Sequence, residues 1–188
     1  MCNFFSGIIV EKGKKVLWHP DIDSHTGLLE HFKLKDETNN PSFVRVEFSP
    51  ADNDLFNHYL FNHDFSTWKF KTDQDFKPDW YDAEKAEELM LSAVKKMISE
   101  RFVFGKLDEI KEGRWFLGKG ADVHKLTGTA FVQAMRASSQ VGYMSDSSQV
   151  LKMSGQAMLI YPQQKKIVIA DPEFKLEVFK DIKQEEPR

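Results

Sequence analysis

The chain has 188 residues, 41% of them hydrophobic and 16 of them Phe, enough to build one substantial core or two small ones. A formal charge of −3 and a pI near 6.1 argue against a general nucleic-acid binder, which carries a basic stripe. No apolar run approaches the roughly 20 residues of a membrane span, and a single cysteine excludes an internal disulfide and a Cys-rich metal site.

Residues 1–10 have neither the basic flank nor the small-residue cleavage pattern of a signal peptide, so the expected compartment is cytoplasmic. Residues 4–10 read as a buried strand, Lys12-Gly13 as a turn and residues 16–18 as its partner, which together predict a hairpin. A polar loop, His19-Pro20-Asp21-Ile22-Asp23-Ser24-His25, follows. Ser24 is placed to cap a short helix with an apolar face of Leu28, Leu29 and Phe32, although Gly27 weakens its first turn.

Residues 42–49 alternate Val44, Val46 and Phe48 against Arg45 and Glu47; residues 66–72 alternate Trp68 and Phe70 against Lys69 and Lys71. Both are half-buried strands of an antiparallel sheet. The strongest helix is Ala83–Arg101, capped by Asp82. Ala86, Met90, Ala93, Val94, Met97 and Phe102 recur at helical spacing, and acids lead while lysines trail, as the helix dipole favours. After Gly105 the pattern is β and turn.

Residues 120–164 fall into five nonapeptides: GADVHKLTG, TAFVQAMRA, SSQVGYMSD, SSQVLKMSG and QAMLIYPQQ. Position two is small (Ala121, Ala130, Ser139, Ser148, Ala157), and position four is aliphatic (Val123, Val132, Val141, Val150, Leu159). Position seven is Leu126, Met135, Met144 and Met153, then Pro162. Such self-similarity predicts a stacked repeat architecture. Positions two and four share one strand face, and Met at seven fills irregular interior space. Gly128, Asp146 and Gly155 sit where corners are needed. Nine extended residues span only about 30 Å, so either one nonapeptide is a narrow coil or two make one flattened turn. Stacking is expected to set Ser and Gln side chains in ladders. Strands at 165–170 and 173–179 are expected to close the end of the array, with Phe174, Leu176 and Val178 inward. The expected class is therefore α+β: an antiparallel sheet with two helices in residues 1–105, a β-solenoid-like array in 106–180, and a flexible tail in 181–188.

The opening Met1-Cys2-Asn3-Phe4-Phe5-Ser6, the Asp23-Ser24-His25 loop, Trp68-Lys69-Phe70, Asp73-Gln74-Asp75, Pro78 and Trp80-Tyr81 resemble a family of phage and prophage proteins. Its members begin with an MCNF-x-S segment and end in short tandem repeats of variable number. The resemblance spans most of the chain in motif order and implies a mobile-element setting, with host cytoplasm as the location. It implies no particular chemistry.

Cys2 is the sharpest chemical candidate. Removal of Met1 exposes a thiol and a free amine on one residue, a pairing that forms covalent adducts and supplies its own base. This is similar to N-terminal-cysteine amidohydrolases and to SRAP-type covalent DNA-trapping proteins, with Asn3 where those families commonly carry Gly. Cys2, Asn3 and His25 are the candidate catalytic set. The plain alternative is a small residue packed at the start of the first strand.

Asp21, Asp23 and His25 have the donor types of a divalent-metal cluster, but Asp and Ser in a loop before a helix are ordinary turn and cap residues, and that reading is preferred. No metal and no cofactor is assigned. His58 and His63 repeat within a five-residue duplication, a spacing that no helix or strand face presents cleanly.

Seven acids lie between Asp73 and Glu88 with Trp80 and Tyr81 among them, a candidate patch for a basic partner or, more simply, a solvated helix start stapled by two aromatics. Asp75, Asp79, Trp80, Tyr81, Gln140, Tyr143 and Gln149 are the candidate binding residues. The expected function is a non-enzymatic accessory protein binding a host or viral macromolecule, with a protein as the expected partner; an enzyme or covalent trap at Cys2 is the alternative. An uncapped solenoid end invites self-association.

Overall fold

The computed structural model describes residues 5–35, 42–51, 64–161 and 166–170. Its N-terminal part is a four-stranded antiparallel sheet in the order β2 (Lys15–Leu17), β1 (Phe5–Val10), β3 (Val44–Ser49), β4 (Lys69–Thr72). The hairpin, the Ser24-capped helix α1 (His25–His31) and α2 (Ala83–Arg101) all form where the sequence pattern places them. The Ser24 side chain accepts from Gly27 N at 3.2 Å. Asp82 caps α2 by accepting from Glu84 N and Lys85 N.

Residues 66–68 leave the expected fourth strand. Trp68 N donates to Phe65 O and Ser66 N to Asp64 Oδ1, a turn that aims Trp68 into the core beside Phe48. Phe102 likewise belongs to no helix. It adopts φ −104° and ψ 133° and begins the first strand of the array.

The two faces of the sheet bury different partners. Phe5, Ile9, Val44, Val46 and Phe48 pack on α2, while Ile8 and Val10 pack on Leu28 and Leu29 of α1. Gly7 in the middle of β1 lets Met90 of α2 approach closely, since a Cβ there would displace the end of the Met90 side chain.

From Phe102 onward the chain winds between two parallel sheets. One is β5 (Phe102–Val103), β7 (Arg114–Leu117), β9 (Phe131–Met135) and β11 (Gln149–Val150). The other is β6 (Lys106–Ile110), β8 (Asp122–Leu126), β10 (Gln140–Val141) and β12 (Met158–Tyr161), with β13 (Lys166–Ile169) returning antiparallel to β12. Gln140 pairs with Asp122 on one side and Met158 on the other, and Gln149 pairs with Phe131. The stacking interval is eighteen residues. Two nonapeptides therefore make one flattened coil, with about three turns over residues 102–159. Residues 173–179 lie outside the described residues.

Positions two, four and seven point inward as their residue types require. Ala121, Val123, Leu126, Ala130, Val132, Met135, Val141, Ala157 and Leu159 form one buried cluster between the sheets. The ninth residue of successive repeats is the corner. Gly128, Ala137, Asp146 and Gly155 all have φ between 51° and 69°, and a Cβ on Gly128 would lie 2.6 Å from Lys111 O of the coil below. Asp146 tolerates the left-handed conformation as short polar residues do, and its carboxylate accepts from Gly128 N at 3.1 Å.

No Ser or Gln ladder forms among the described residues. Neighbouring repeats lie on opposite sheets, so Ser139 stacks in the column of Ala121 and Ala157, and Ser148 stacks over Ala130. Ser148 Oγ donates to Leu126 O. Ser139 Oγ, fully buried, has no hydrogen-bond partner among the described residues.

An eighteen-residue stacking interval predicts different outcomes for two deletions. Removing residues 138–155 excises one whole coil and should leave a cooperative two-state unfolding transition. Removing residues 138–146 moves every later strand to the opposite sheet and should abolish that transition. Urea denaturation followed by circular dichroism distinguishes them.

Candidate functional sites around the Asp21–His25 loop

The loop between β2 and α1 sends its polar side chains in two directions. Asp21 and Asp23 turn toward the solenoid, where Arg114 begins β7. Arg114 N donates to Asp21 Oδ1 at 2.6 Å, Nε to Pro20 O at 2.8 Å and Nη1 to Asp23 Oδ2 at 3.1 Å. Arg101, the last residue of α2, approaches Asp21 Oδ2 at 3.6 Å and lies over the Trp115 ring. Burial pulls the Arg114 guanidinium below its ordinary value, while Asp23 and Asp21 push it back up. A guanidinium remains charged throughout the accessible pH range. These acids are the fixed partners of two arginines, which removes them from a metal cluster with His25.

His25 faces the other way, across the outer surface of the sheet. Its Nε2 lies 3.0 Å from Val46 O and its Nδ1 lies 3.2 Å from Asp73 Oδ2. A carbonyl only accepts, so Nε2 carries the proton in that hydrogen bond. Glu47, the residue after Val46 on β3, brings a carboxylate to the same place. One ligand atom from each of His25, Glu47 and Asp73 lies within 4.8 Å of the others. The His25 and Glu47 side chains are only 11% and 17% exposed. Lys71 spans the outer side, 3.0 Å from Asp73 Oδ1 and 3.7 Å from Glu47 Oε2. The Lys71 hydrogen bond holds the Asp73 carboxyl below its ordinary value, with burial opposing and His25 assisting. Beneath this cluster Ser6 Oγ donates to Asp23 O, tying β1 to the same loop.

The remaining nominated residues are dispersed. Cys2, Asn3, His58 and His63 lie outside the described residues. Trp80 and Tyr81 pack against the core formed by the sheet and α2, and the Tyr81 hydroxyl pairs with Thr72 Oγ1 at 2.7 Å. Burial pushes its phenol up. The aromatics are therefore staples, with exposed Asp75 and Asp79 beside them. Gln140 and Gln149 lie on opposite sheets, and Tyr143 is half-buried at the bend after β10. The Gln pair shares no single surface.

A shallow cleft of about 420 Å³ opens where the Asp21–Asp23 loop meets the outer face of β7, β9 and β11. Arg114, Phe131, Gln133 and Leu151 line it together with the two acids, and Leu151 is 60% exposed. Arg114 carried no sequence signal, since it belongs to no motif, and Leu151 only that of the fifth position in the nonapeptide SSQVLKMSG. Glu47 and Lys71 were legible only as the wet side of two alternating strands.

No family model, curated protein or solved structure matches the chain. Among the described residues, no helix is long and apolar enough to cross a membrane.

Replacing Arg114 by Ala removes the guanidinium that holds Pro20 O and Asp23, while the residue-114 amide and Arg101 still hold Asp21. The expected loss is about 2–3 kcal/mol of unfolding free energy, below the range for fully buried pairs because both acids reach solvent. Hydrogen exchange of the loop amides should accelerate in the same variant. Asp73 has a depressed folded-state value, so its stabilisation is present above the ordinary aspartate value of 3.8 and is lost as pH falls through the folded one. The stability gap between the wild type and Asp73→Asn should therefore be open at neutral pH and close in acid. Thermal melts across a pH series check this.

Proposed function

We propose that the chain is a non-enzymatic accessory protein of phage or other mobile-element origin that binds a protein partner in the host cytoplasm, in an inhibitory or anti-defence role. The observation that carries this reading is the unequal coverage of the sheet β5–β7–β9–β11. Phe102, Phe116 and Ala134 are covered by the core that includes α2. Further along, Phe131, Gln133 and Leu151 line the open cleft beside Arg114.

An exposed aliphatic and an aromatic beside a positioned guanidinium and short polar groups make the mixed lining typical of a protein-recognition patch. The outer edge of β11 pairs with no strand among the described residues, so its backbone suits addition of an extended segment from a partner. Solenoids supply extended surfaces of this kind more readily than catalytic pockets. The resemblance of the opening segment to phage proteins supports the mobile-element setting.

A photo-crosslinking residue placed at Leu151 should capture one host or viral protein in cells, while the same residue at His124, exposed on the opposite sheet, should not. Leu151→Asp should weaken that association at least tenfold with an unchanged melting temperature. Equal capture from both positions, or unaltered binding by Leu151→Asp, overturns the reading. The alternative of an enzyme or covalent trap rests on the sole cysteine standing at position 2. Retention of Met1 in the intact mass, or full biological activity of Cys2→Ala, removes it.

A further inference from the structure

We propose that His25, Glu47 and Asp73 form a binding site for a divalent first-row transition ion of the zinc type, with water completing its coordination. The site lies on the outer face of the N-terminal sheet and is independent of the solenoid cleft.

The argument begins at the imidazole. Because Val46 O takes the Nε2 proton, a neutral His25 presents the Nδ1 lone pair toward Asp73 Oδ2 at 3.2 Å. A lone pair and a carboxylate oxygen are both acceptors, so this approach is favourable only with a cation or a proton between them. A metal-ligating histidine characteristically donates its other ring nitrogen to a backbone carbonyl, which fixes the tautomer and aims the free nitrogen at the ion. His25 is held in that manner.

The spacing also fits. Zinc bonds nitrogen and oxygen at about 2.0–2.2 Å, so neighbouring ligand atoms in a tetrahedral shell sit roughly 3.2–3.6 Å apart. The His25–Asp73 pair already has that separation. The Glu47 carboxylate, within 4.8 Å of both, closes the remainder by rotating its side chain. One imidazole and two carboxylates favour a borderline ion over calcium or magnesium, which take oxygen shells.

Lys71 tests the idea from the opposite side. Its ammonium neutralises the outer edge of the carboxylates through Asp73 Oδ1 and Glu47 Oε2, leaving Asp73 Oδ2 to the imidazole. The lysine side chain is 65% exposed and free to swing outward. It acts as a competing cation, so its removal should strengthen metal binding, whereas removal of a merely neighbouring lysine would not.

The experiment uses the full chain, stripped with a chelator and titrated with Zn²⁺ by equilibrium dialysis, with Co²⁺ absorption and thermal shift as second readouts. One ion should bind per chain at this site. The isosteric variants Asp73→Asn and Glu47→Gln should each weaken it at least tenfold and abolish the Zn²⁺-dependent rise in melting temperature. Lys71→Ala should tighten it, and Cys2→Ser and His31→Ala should leave it unchanged. Unaltered affinity in both isosteric variants, or loss of binding in Cys2→Ser, overturns the proposal. So does the absence of uptake at millimolar Zn²⁺ together with a downfield His25 Nδ1 proton resonance, which would place a proton in the gap instead.

Discussion

Helix α2 lays Ala86, Met90, Ala93, Val94, Met97 and Ile98 into a core shared with two different β structures. Toward its N-terminal end the helix covers the antiparallel sheet, where Gly7 admits Met90 and the Trp80–Tyr81 pair closes the margin. Toward its C-terminal end the same stripe reaches Phe102, Phe116 and Ala134 on the outside of the first coils. Phe102 and Phe116 stack with ring centroids 4.5 Å apart at the point where the helix passes into β5. Burying a large apolar side chain contributes about 1.5–3 kcal/mol. This shared stripe is therefore large enough to hold the sheet and solenoid in one arrangement, and both candidate sites depend on it.

Polar contacts refine that arrangement. The loop from His19 to Ser24 crosses from the sheet to the solenoid and is secured at both ends, by Ser6 on β1 and by Arg114 on β7. Arg114 is well suited to the task because its guanidinium and backbone amide together address Pro20, Asp21 and Asp23. With these acids committed, His25 is left to the sheet face, where it meets Glu47 and Asp73. The loop thus separates a structural ion-pair network from a set of metal-ligand donor types only a few residues apart.

Repeat stacking imposes a second constraint. Each nonapeptide makes half a coil, so like residues in neighbouring repeats face apart and only alternate repeats stack. This defeats any Ser or Gln ladder and divides Gln140 from Gln149, despite their identical local sequences. Val150 and Met153, at the last strand of one sheet, are half-buried, whereas Val141, Ala157 and Leu159 on the other sheet, which continues to β13, are buried. The first coil is irregular, with Phe102 opposite Phe116 and Lys106 opposite Asp122, intervals shorter than eighteen residues. A search for a nine-residue period finds the array only from residue 120 for that reason.

The sequence by itself determined the features that depend on near neighbours. Ser24 and Asp82 announce helices because a cap satisfies amides within three residues. Alternation marks β3 and β4, a short apolar run marks β1, and the small–aliphatic–Met pattern marks an inward face. Corners at Gly128, Asp146 and Gly155 were legible because few residue types adopt their backbone conformation easily. Tertiary structure alone decided whether one or two nonapeptides make a coil, since either choice buries the same residues. It decided too that Asp21 and Asp23 serve Arg114, and that His25 meets Glu47 and Asp73. Those partners are separated by dozens of residues and share no motif. Their meeting is set by strand register and by the packing of α2, neither of which leaves a local trace in the residues that meet.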